Sequence, residues 1–200
     1  MLHAKNNDIK DLVLRCVDVM ILACAANIRS GWRSIFLILE YSTQGITDIA
    51  SIAFDITDRL ILNNFEYLVY DFVELMNCLV AFVASTHTEL AEKAIDHFAR
   101  CSNFLANGTV ANATSADAKN SVAVDGGSDA VAAPVDEDAA IFRLWWPLLL
   151  GLATAVGDAR FSVRKRALET LRKVLLLHGK IFSPQAWGVI FKVSICFNGA

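Results

Sequence analysis

The sequence predicts an all-α fold, a HEAT- or armadillo-like superhelix of stacked helical repeats. Apolar residues recur three and four positions apart, and strict alternation is absent, which indicates helices rather than strands. Outside residues 107–139, predicted helix starts lie about 17 to 25 residues apart, so two helices repeat every 40 or so residues, the period of such arrays. Of the 200 residues, 55% are hydrophobic and 20% are charged. Stacked helices can bury this excess of apolar side chains.

Each helix is predicted from an apolar stripe and from the residues at its ends. Ile49, Ile52 and Ile56 form one such stripe, and Gly45 precedes it as a break. The predicted helices are 9–26, 30–43, 47–62, 65–84, 88–106, 141–156, 159–178 and 184–197.

Boundary residues support several of these helix ends. Ser30 is predicted to cap the N-terminus of the second helix. Ser183 is predicted to cap the last helix, with Pro184 at the first helical position, where its missing N–H costs nothing. Gly179 is predicted to stop the preceding helix in a left-handed conformation.

Composition divides the chain into three parts. Residues 1–106 form a helical repeat region, and residues 140–200 form HEAT-like repeats of a truncated array. Residues 107–139 are rich in Ala, Asn, Ser, Gly and Asp and contain no Leu, Ile or aromatic residue. Such a segment cannot bury enough apolar area to offset the entropy of ordering, so it is predicted to be a disordered linker.

Several classes of protein are excluded by composition and motifs. The longest uncharged apolar run, 144–156, is too short for a transmembrane helix, which needs about 20 apolar residues. The N-terminus has no signal-peptide pattern. The five cysteines lack C-x-x-C spacing and are predicted to be buried thiols, and the four scattered histidines suggest no metal site. Phosphate-binding, dinucleotide-binding and hydrolase motifs are absent, so we expect no cofactor and no enzymatic activity.

Charge is distributed unevenly. Residues 159–192 contain eight basic residues and one acidic residue, whereas residues 1–158 contain ten basic and twenty acidic residues. A basic end could bind an anionic membrane or an acidic protein surface, and the alternative is a solvated helix face with ion pairs between repeats. Nucleic acid is not an expected partner, since aromatic residues are not interleaved with the basic ones. The residues expected to face the anionic surface are Lys165, Arg166, Arg172 and Lys173, while Arg164 is expected to form an ion pair between repeats.

Two regions carry a resemblance to a known family. Residues 27–36 read NIRSGWRSIF and resemble the N-I-R-S-G-W-[KR]-x-[IV]-F signature of the large brefeldin A-inhibited Arf guanine-nucleotide exchange factors of the trans-Golgi. Residues 146–152 (WPLLLGL), 158–164 (DARFSVR) and 178–179 (HG) are similar, in order and spacing, to a following region of the same family. Both regions lie downstream of the Sec-seven-type catalytic domain in that family. The catalytic glutamate motif, F-R-L-P-G-E-A-Q, has no counterpart here.

The resemblance implies a non-catalytic regulatory and interaction region acting in Golgi vesicle transport. It implies binding to small GTPases of the Arf, Rab or Arl type and to the Golgi membrane surface, hence a cytoplasmic, peripheral location. The signature residues expected to take part are Asn27, Arg29, Ser30, Gly31 and Trp32. Alternatively, Arg29 and Trp32 only lock one helix pair onto the next. A second hypothesis is a generic HEAT scaffold without exchange activity, such as the sister Mon-two-like family or a transport receptor. Self-association through exposed array ends is also expected.

Overall fold

A computed structural model of the chain describes residues 2–107, 137–188 and 190. These residues form helices and contain no β strand, which confirms the all-α prediction. The helices are α1 (Leu2–Cys24), α2 (Trp32–Ser42), α3 (Thr47–Asn63), α4 (Phe65–Leu68), α5 (Phe72–Ala84), α6 (Thr88–Ala106), α7 (Glu137–Val156) and α8 (Phe161–His178). Short 3-10 helices follow α1 at Ala25–Asn27 and α8 at Gly179–Ile181.

The helices stack as pairs in two layers. In one layer α5 packs between α2 and α7, and in the other α1, α3, α6 and α8 follow one another. The two layers meet where α2 contacts α3, α5 contacts α6, and α7 contacts α8. Each pair thus contributes one helix to each layer, which is the repeat-like arrangement that the 40-residue period predicted.

The buried residues follow the predicted stripes. In α6, the buried positions include Leu90, Ala94, Phe98, Cys101 and Leu105, which recur three and four apart. In α8, the buried positions are Val163, Ala167, Thr170 and Val174. A helix whose apolar residues share one face is stabilised mainly by burying that face against its neighbours.

Several predicted boundaries need correction. The predicted helix 65–84 is interrupted, because α4 ends at Leu68 and α5 begins at Phe72. Helix α1 starts earlier than predicted, and α7 starts at Glu137, within the predicted linker. The rest of that linker, 108–136, lies outside the described residues, as does most of the last predicted helix beyond 188. Of the cysteines, Cys78 and Cys101 are buried, as predicted, whereas Cys16 is exposed.

The end of α8 confirms one boundary prediction and contradicts another. The Ser183 hydroxyl accepts a hydrogen bond from the Ala186 N–H at 3.1 Å, as expected of an N-cap. Gly179 has a right-handed conformation with φ of −59°, so the predicted left-handed stop is wrong. A Cβ at Gly179 would lie 2.9 Å from the Trp187 ring, and the Trp187 indole N–H donates to the Gly179 carbonyl at 3.2 Å. Glycine is required here by close packing.

Ion pairs join successive helices of the α1–α3–α6–α8 layer. Arg59 of α3 pairs with Asp18 of α1, and Arg100 of α6 lies 3.3 Å from Asp58 of α3. Arg166 of α8 binds Asp96 of α6 through two hydrogen bonds, at 2.5 and 3.0 Å. We call these three interhelix pairs the ion-pair ladder. They link all four helices of the layer in sequence.

His97 lies inside this layer next to the middle pair of the ladder. Its side chain is 3% exposed, and Nε2 lies 3.1 Å from the Asp58 carboxylate. Nδ1 is buried without a hydrogen-bond partner. Burial lowers the pKa of His97, while Asp58 acts in the opposite direction.

The lowered pKa of His97 predicts that acid destabilises the fold. Below the ordinary histidine pKa of about 6.5, the unfolded chain binds a proton that the folded chain resists, so stability falls as pH falls. One proton is worth at most about 1.4 kcal/mol per pH unit. Urea unfolding at pH 7.5 and at pH 5.5 measures how much the free energy of unfolding falls between them. This fall should be smaller for His97→Phe than for the parent. His178, whose pKa burial also lowers, remains in both proteins. Equal losses in both would contradict the prediction.

Candidate interaction surfaces

The signature residues form the turn between α1 and α2, and the structure divides them into two groups. Ile28 and Trp32 are buried, at 9% and 2% exposure, and the Trp32 ring lies 6.3 Å from the Phe36 ring. Asn27, Arg29 and Ser30 are exposed, as is Gly31. Trp32 therefore anchors α2 in the core, while the polar members of the signature face outward.

The predicted capping role of Ser30 is wrong. Helix α2 begins at Trp32, its N-cap position is Gly31, and no side chain caps it. Residues 29–31 form a turn after the 3-10 helix Ala25–Asn27, so α2 starts two residues later than predicted. As a result, Ser30 lies in the turn rather than at the cap.

A cavity of about 380 Å³ opens beside this turn, and we call it the signature cavity. One wall is the turn itself, and the other is the segment around α4, between α3 and α5. The lining residues include Arg29, Ser30 and Trp32 on the first wall and Tyr67, Tyr70 and Asp71 on the second. The break between α4 and α5 forms this second wall, which is why a continuous helix over 65–84 would not have revealed the cavity.

The charges around the signature cavity are mixed. Arg29 lies on one wall, and Glu66 and Asp71 lie on the other. Burial raises the pKa of Asp71, Glu74 adds to this effect, and Arg33 partly opposes it. A hydrogen bond to Glu66 raises the pKa of the Tyr67 phenol. Tyrosine and arginine side chains, which line this cavity, are enriched at surfaces that recognise proteins.

The second candidate surface lies on α8. Lys165, Arg166, Arg172 and Lys173 are all exposed, as predicted from the buried stripe on the opposite side of the helix. Arg166 is held by Asp96 in the ion-pair ladder, so its charge is already compensated. Among the described residues, the other three have no ion pair. We call Lys165, Arg172 and Lys173 the basic face.

Arg160, and not Arg164, makes the contact between repeats that the sequence analysis expected of Arg164. Arg164 donates to the carbonyl oxygens of Asp158 and Ala159, within its own turn, so the expected ion pair between repeats is not formed by Arg164. Arg160 instead makes the connection between repeats. It pairs with Asp158 at 2.8 Å. It also donates to the carbonyl oxygen of Val83, in the last turn of α5, and to that of Ser85, just after α5, at 2.8 Å.

Apolar side chains accompany the basic face. Leu168 and Leu176 are 57% and 71% exposed, and they lie beside Arg172 along a groove of about 580 Å³. Trp187 closes one side of that groove. Cations next to exposed leucines on one helix face are typical of interfacial membrane contacts. The periodicity of α8 could have revealed these leucines, because they fall outside its buried stripe.

Within the described ranges, no group of three or more histidine, cysteine or acidic side chains could hold a metal ion. None of the described helices is long and apolar enough to cross a membrane.

The chain is similar to several known proteins. Residues 1–59 match the family model described as Mon2/Sec7/BIG1-like, HDS. Brefeldin A-inhibited guanine nucleotide-exchange protein 1 of Arabidopsis thaliana is 31% identical over 199 residues, covering 96% of this chain and 12% of that protein. Protein 1 of Homo sapiens is 24% identical over 199 residues, covering 96% of this chain and 10% of that protein. No solved structure matches the chain.

The chain spans about a tenth of the length of these relatives. The match to Arabidopsis thaliana protein 2 has the same extent, at 29% identity and 96% of this chain. The family match includes the signature turn, and the longer matches include α7 and α8 as well. Over almost its whole length the chain is thus similar to part of the large brefeldin A-inhibited guanine nucleotide-exchange proteins, as the signature at residues 27–36 indicated.

Proposed function

We propose that the chain is a non-catalytic interaction region of a large Arf guanine-nucleotide exchange factor. In this proposal the basic face binds the anionic surface of Golgi membranes, and the signature cavity binds a protein partner, such as a small GTPase. The chain assists recruitment and regulation of a catalytic domain and does not itself exchange nucleotide. The family match and the relatives' names support the connection to nucleotide exchange.

One observation carries the membrane part of the proposal. Lys165, Arg172 and Lys173 have no ion pair among the described residues, and they stand beside exposed Leu168 and Leu176. Each basic residue near an anionic membrane contributes about 1 kcal/mol, screened over a Debye length of about 8 Å. Three such cations with inserted leucines would give weak, salt-sensitive binding. Such binding suits a peripheral protein that other contacts also hold on the membrane.

The family match alone does not separate exchange factors from the Mon-two-like sister family, because its description includes both. The relatives compared above are all exchange proteins by name, and this favours the first hypothesis. A scaffold without exchange activity would use the same two surfaces. The membrane experiment therefore tests whether the basic face binds anionic membranes. It applies equally to an exchange factor and to a scaffold without exchange activity.

The triple variant Lys165→Glu, Arg172→Glu and Lys173→Glu should lose membrane binding. Three cations that each contribute about 1 kcal/mol account for about 3 kcal/mol of binding free energy, and losing it weakens binding about a hundredfold. The measurement is co-sedimentation with phosphatidylcholine vesicles that contain phosphatidylserine, compared with vesicles that lack it. We expect the parent to bind only the anionic vesicles, and more weakly as salt is raised. The buried stripe of α8 is untouched, so the variant should remain folded.

A matched control carries Lys10→Glu, Lys93→Glu and Arg143→Glu, which change the net charge equally but lie outside the basic face. This control should keep most of the parent's binding. If the triple variant binds as well as the parent, or if salt has no effect, α8 presents only a solvated face. The proposal for the membrane would then be wrong.

A further inference from the structure

One carboxylate in the signature cavity does not have the usual role of its position. Asp71 is the N-cap residue of α5, where an aspartate ordinarily accepts a hydrogen bond from a free N–H group of the first helical turn. Its side chain makes no such bond, and the residue lines the cavity. Burial raises the pKa of Asp71, because the carboxylate is partly removed from water. Asp71 is thus a partly desolvated carboxylate that does not cap its own helix.

The cations of the chain do not neutralise this carboxylate. Among the described residues, Asp71 forms no ion pair. The like charge of Glu74 acts on it more strongly than the opposite charge of Arg33 does. Glu66 adds a second carboxylate to the same wall, and within the described ranges it has no ion pair either. The wall around α4 therefore presents negative charge that a cation from another molecule can compensate.

The opposite wall contributes one cation, but no ion pair crosses the cavity. Arg29 is exposed in the turn before α2 and forms no ion pair with Asp71 or Glu66. Most of the remaining side chains on this wall are apolar, and they include Ile28 and Trp32. The cavity thus has a cation on one wall, carboxylates on the other, and apolar or aromatic side chains on both.

The size and lining of the cavity suit one long basic side chain. Its volume of about 380 Å³ is near the lower end of the usual range for ligand pockets, about 300–1,000 Å³. Lysine and arginine combine an apolar stem with a charged head. A guanidinium group also stacks on aromatic rings, such as those of Tyr67 and Tyr70, and can donate two hydrogen bonds to one carboxylate. Covering Asp71 with an apolar or acidic side chain would instead remove its charge from water without a partner, which costs free energy.

We propose that the signature cavity binds an arginine side chain of a partner protein, whose guanidinium group pairs with Asp71 and whose stem packs on Tyr67 and Tyr70. The inference rests on the proposed function, in which this cavity binds a protein, and it names the chemistry that is recognised. Arg29 fixes the orientation, because it attracts an acidic neighbour of the incoming arginine and repels a second basic one. A partner segment with an arginine beside an acidic residue matches both walls, whereas a run of basic residues matches only one.

The direct probe is N-acetylarginine amide, compared with N-acetylcitrulline amide, in which a neutral urea group of the same shape replaces the guanidinium group. Each compound is titrated into the isotopically labelled full chain, and the indole N–H signal of Trp32 in the NMR spectrum reports on the cavity that Trp32 lines. We expect N-acetylarginine amide to shift this signal in a saturable way. Its affinity should exceed that of the citrulline compound about tenfold, because only the arginine compound makes charged hydrogen bonds to the carboxylate.

Asp71→Asn keeps the shape of the side chain and removes its charge, and α5 should be unaffected because Asp71 does not cap it. We expect the affinity for N-acetylarginine amide to fall about tenfold, to that of the citrulline compound. Asp48→Asn is the matched control, since it removes the same charge from an exposed aspartate in the first turn of α3, outside the cavity. This control should bind like the parent. Glu66→Gln should weaken binding less than Asp71→Asn does, because the Glu66 carboxylate is exposed and more strongly screened.

A GTP-bound Arf GTPase, used as a second probe, separates this inference from the proposed function. Ala26→Trp places a large ring at an exposed position of the cavity wall and blocks the cavity for any occupant. Loss of GTPase binding in Ala26→Trp but not in Asp71→Asn would keep the proposed function and overturn the inference of an arginine. GTPase binding that neither variant changes, together with amide binding that depends on Asp71, would support the inference and contradict the GTPase as the partner. A citrulline compound that binds as well as the arginine compound, or a parent that binds neither, would overturn the inference.

Discussion

Replacing Arg160 with Ala is expected to lower the free energy of unfolding by about 2–3 kcal/mol, the cost of leaving buried polar groups without their partners. Its guanidinium group connects the turn before α8 to the C-terminal end of α5, through Asp158 and the carbonyl oxygens of Val83 and Ser85. The side chains of Arg160 and Asp158 are only 27% and 13% exposed. Water can therefore replace few of the lost hydrogen bonds.

Urea denaturation of the purified chain measures this effect. Arg164→Ala is the matched control, since Arg164 is the same residue type in the same turn but donates only to the local carbonyl oxygens of Asp158 and Ala159. We expect Arg164→Ala to lower the free energy of unfolding by less than about 1 kcal/mol, the contribution of an ordinary hydrogen bond. Arg160→Lys should recover less than half of the loss, because an ammonium group cannot reach three acceptors in the fork geometry. Equal costs for Arg160→Ala and Arg164→Ala would refute the assigned bridge.

Arg160 also makes a contact that could not be predicted from the sequence. The motif at residues 158–164 identified an acidic turn and a basic helix start, and the spacing of Arg164 made it the expected link between repeats. Which arginine crosses to the next helix pair depends on the distance to the Val83 and Ser85 carbonyl groups. These groups lie more than seventy residues away in sequence, and no local pattern specifies their position.

The helices themselves were predictable because their buried stripes are local. Val163, Ala167 and Val174 follow the 3.6-residue period of one helix, and the structure buries all three. The break before Phe72 was not predictable in this way, because Leu68 and Phe72 maintain the same period across it. The signature cavity depends on that break, and the sequence therefore indicated only one of its two walls.

For the surface cations of α8, the sequence predicts exposure but not pairing. Periodicity was sufficient to place Lys165, Arg166, Arg172 and Lys173 on exposed positions of α8. It could not tell that Asp96 would take Arg166 into the ion-pair ladder, because that pairing requires the stacking of α6 on α8. Sequence thus predicted the position of the basic helix, and the tertiary fold decided which of its charges are available.

Gly151→Val is expected to destabilise the fold by about 3 kcal/mol, at the upper end of the usual cost of overfilling a core. A Cβ at Gly151 would lie 2.6 Å from Phe98 Cε1 and 2.9 Å from Cζ, with Val80 Cγ2 at 3.3 Å. The Phe98 ring is completely buried, so it cannot rotate away into solvent. Gly151 therefore allows α7 to approach α5 and α6 closely, although glycine is otherwise unfavourable inside a helix, by about 1 kcal/mol.

Two further variants test whether the clash with the Phe98 ring causes the loss of stability in Gly151→Val. Gly188→Val is the control, because a Cβ at Gly188 would have no neighbour within 4 Å, and we expect it to change stability by no more than about 1 kcal/mol. Phe98→Leu shortens the opposing side chain, and in combination with Gly151→Val it should cost less than the sum of the two single changes, since neighbouring substitutions couple. Thermal and urea unfolding of the four proteins provide the comparison. Strict additivity, or a Gly151→Val protein as stable as the parent, would mean that the α6–α7 contact can relax and that Gly151 has no special role.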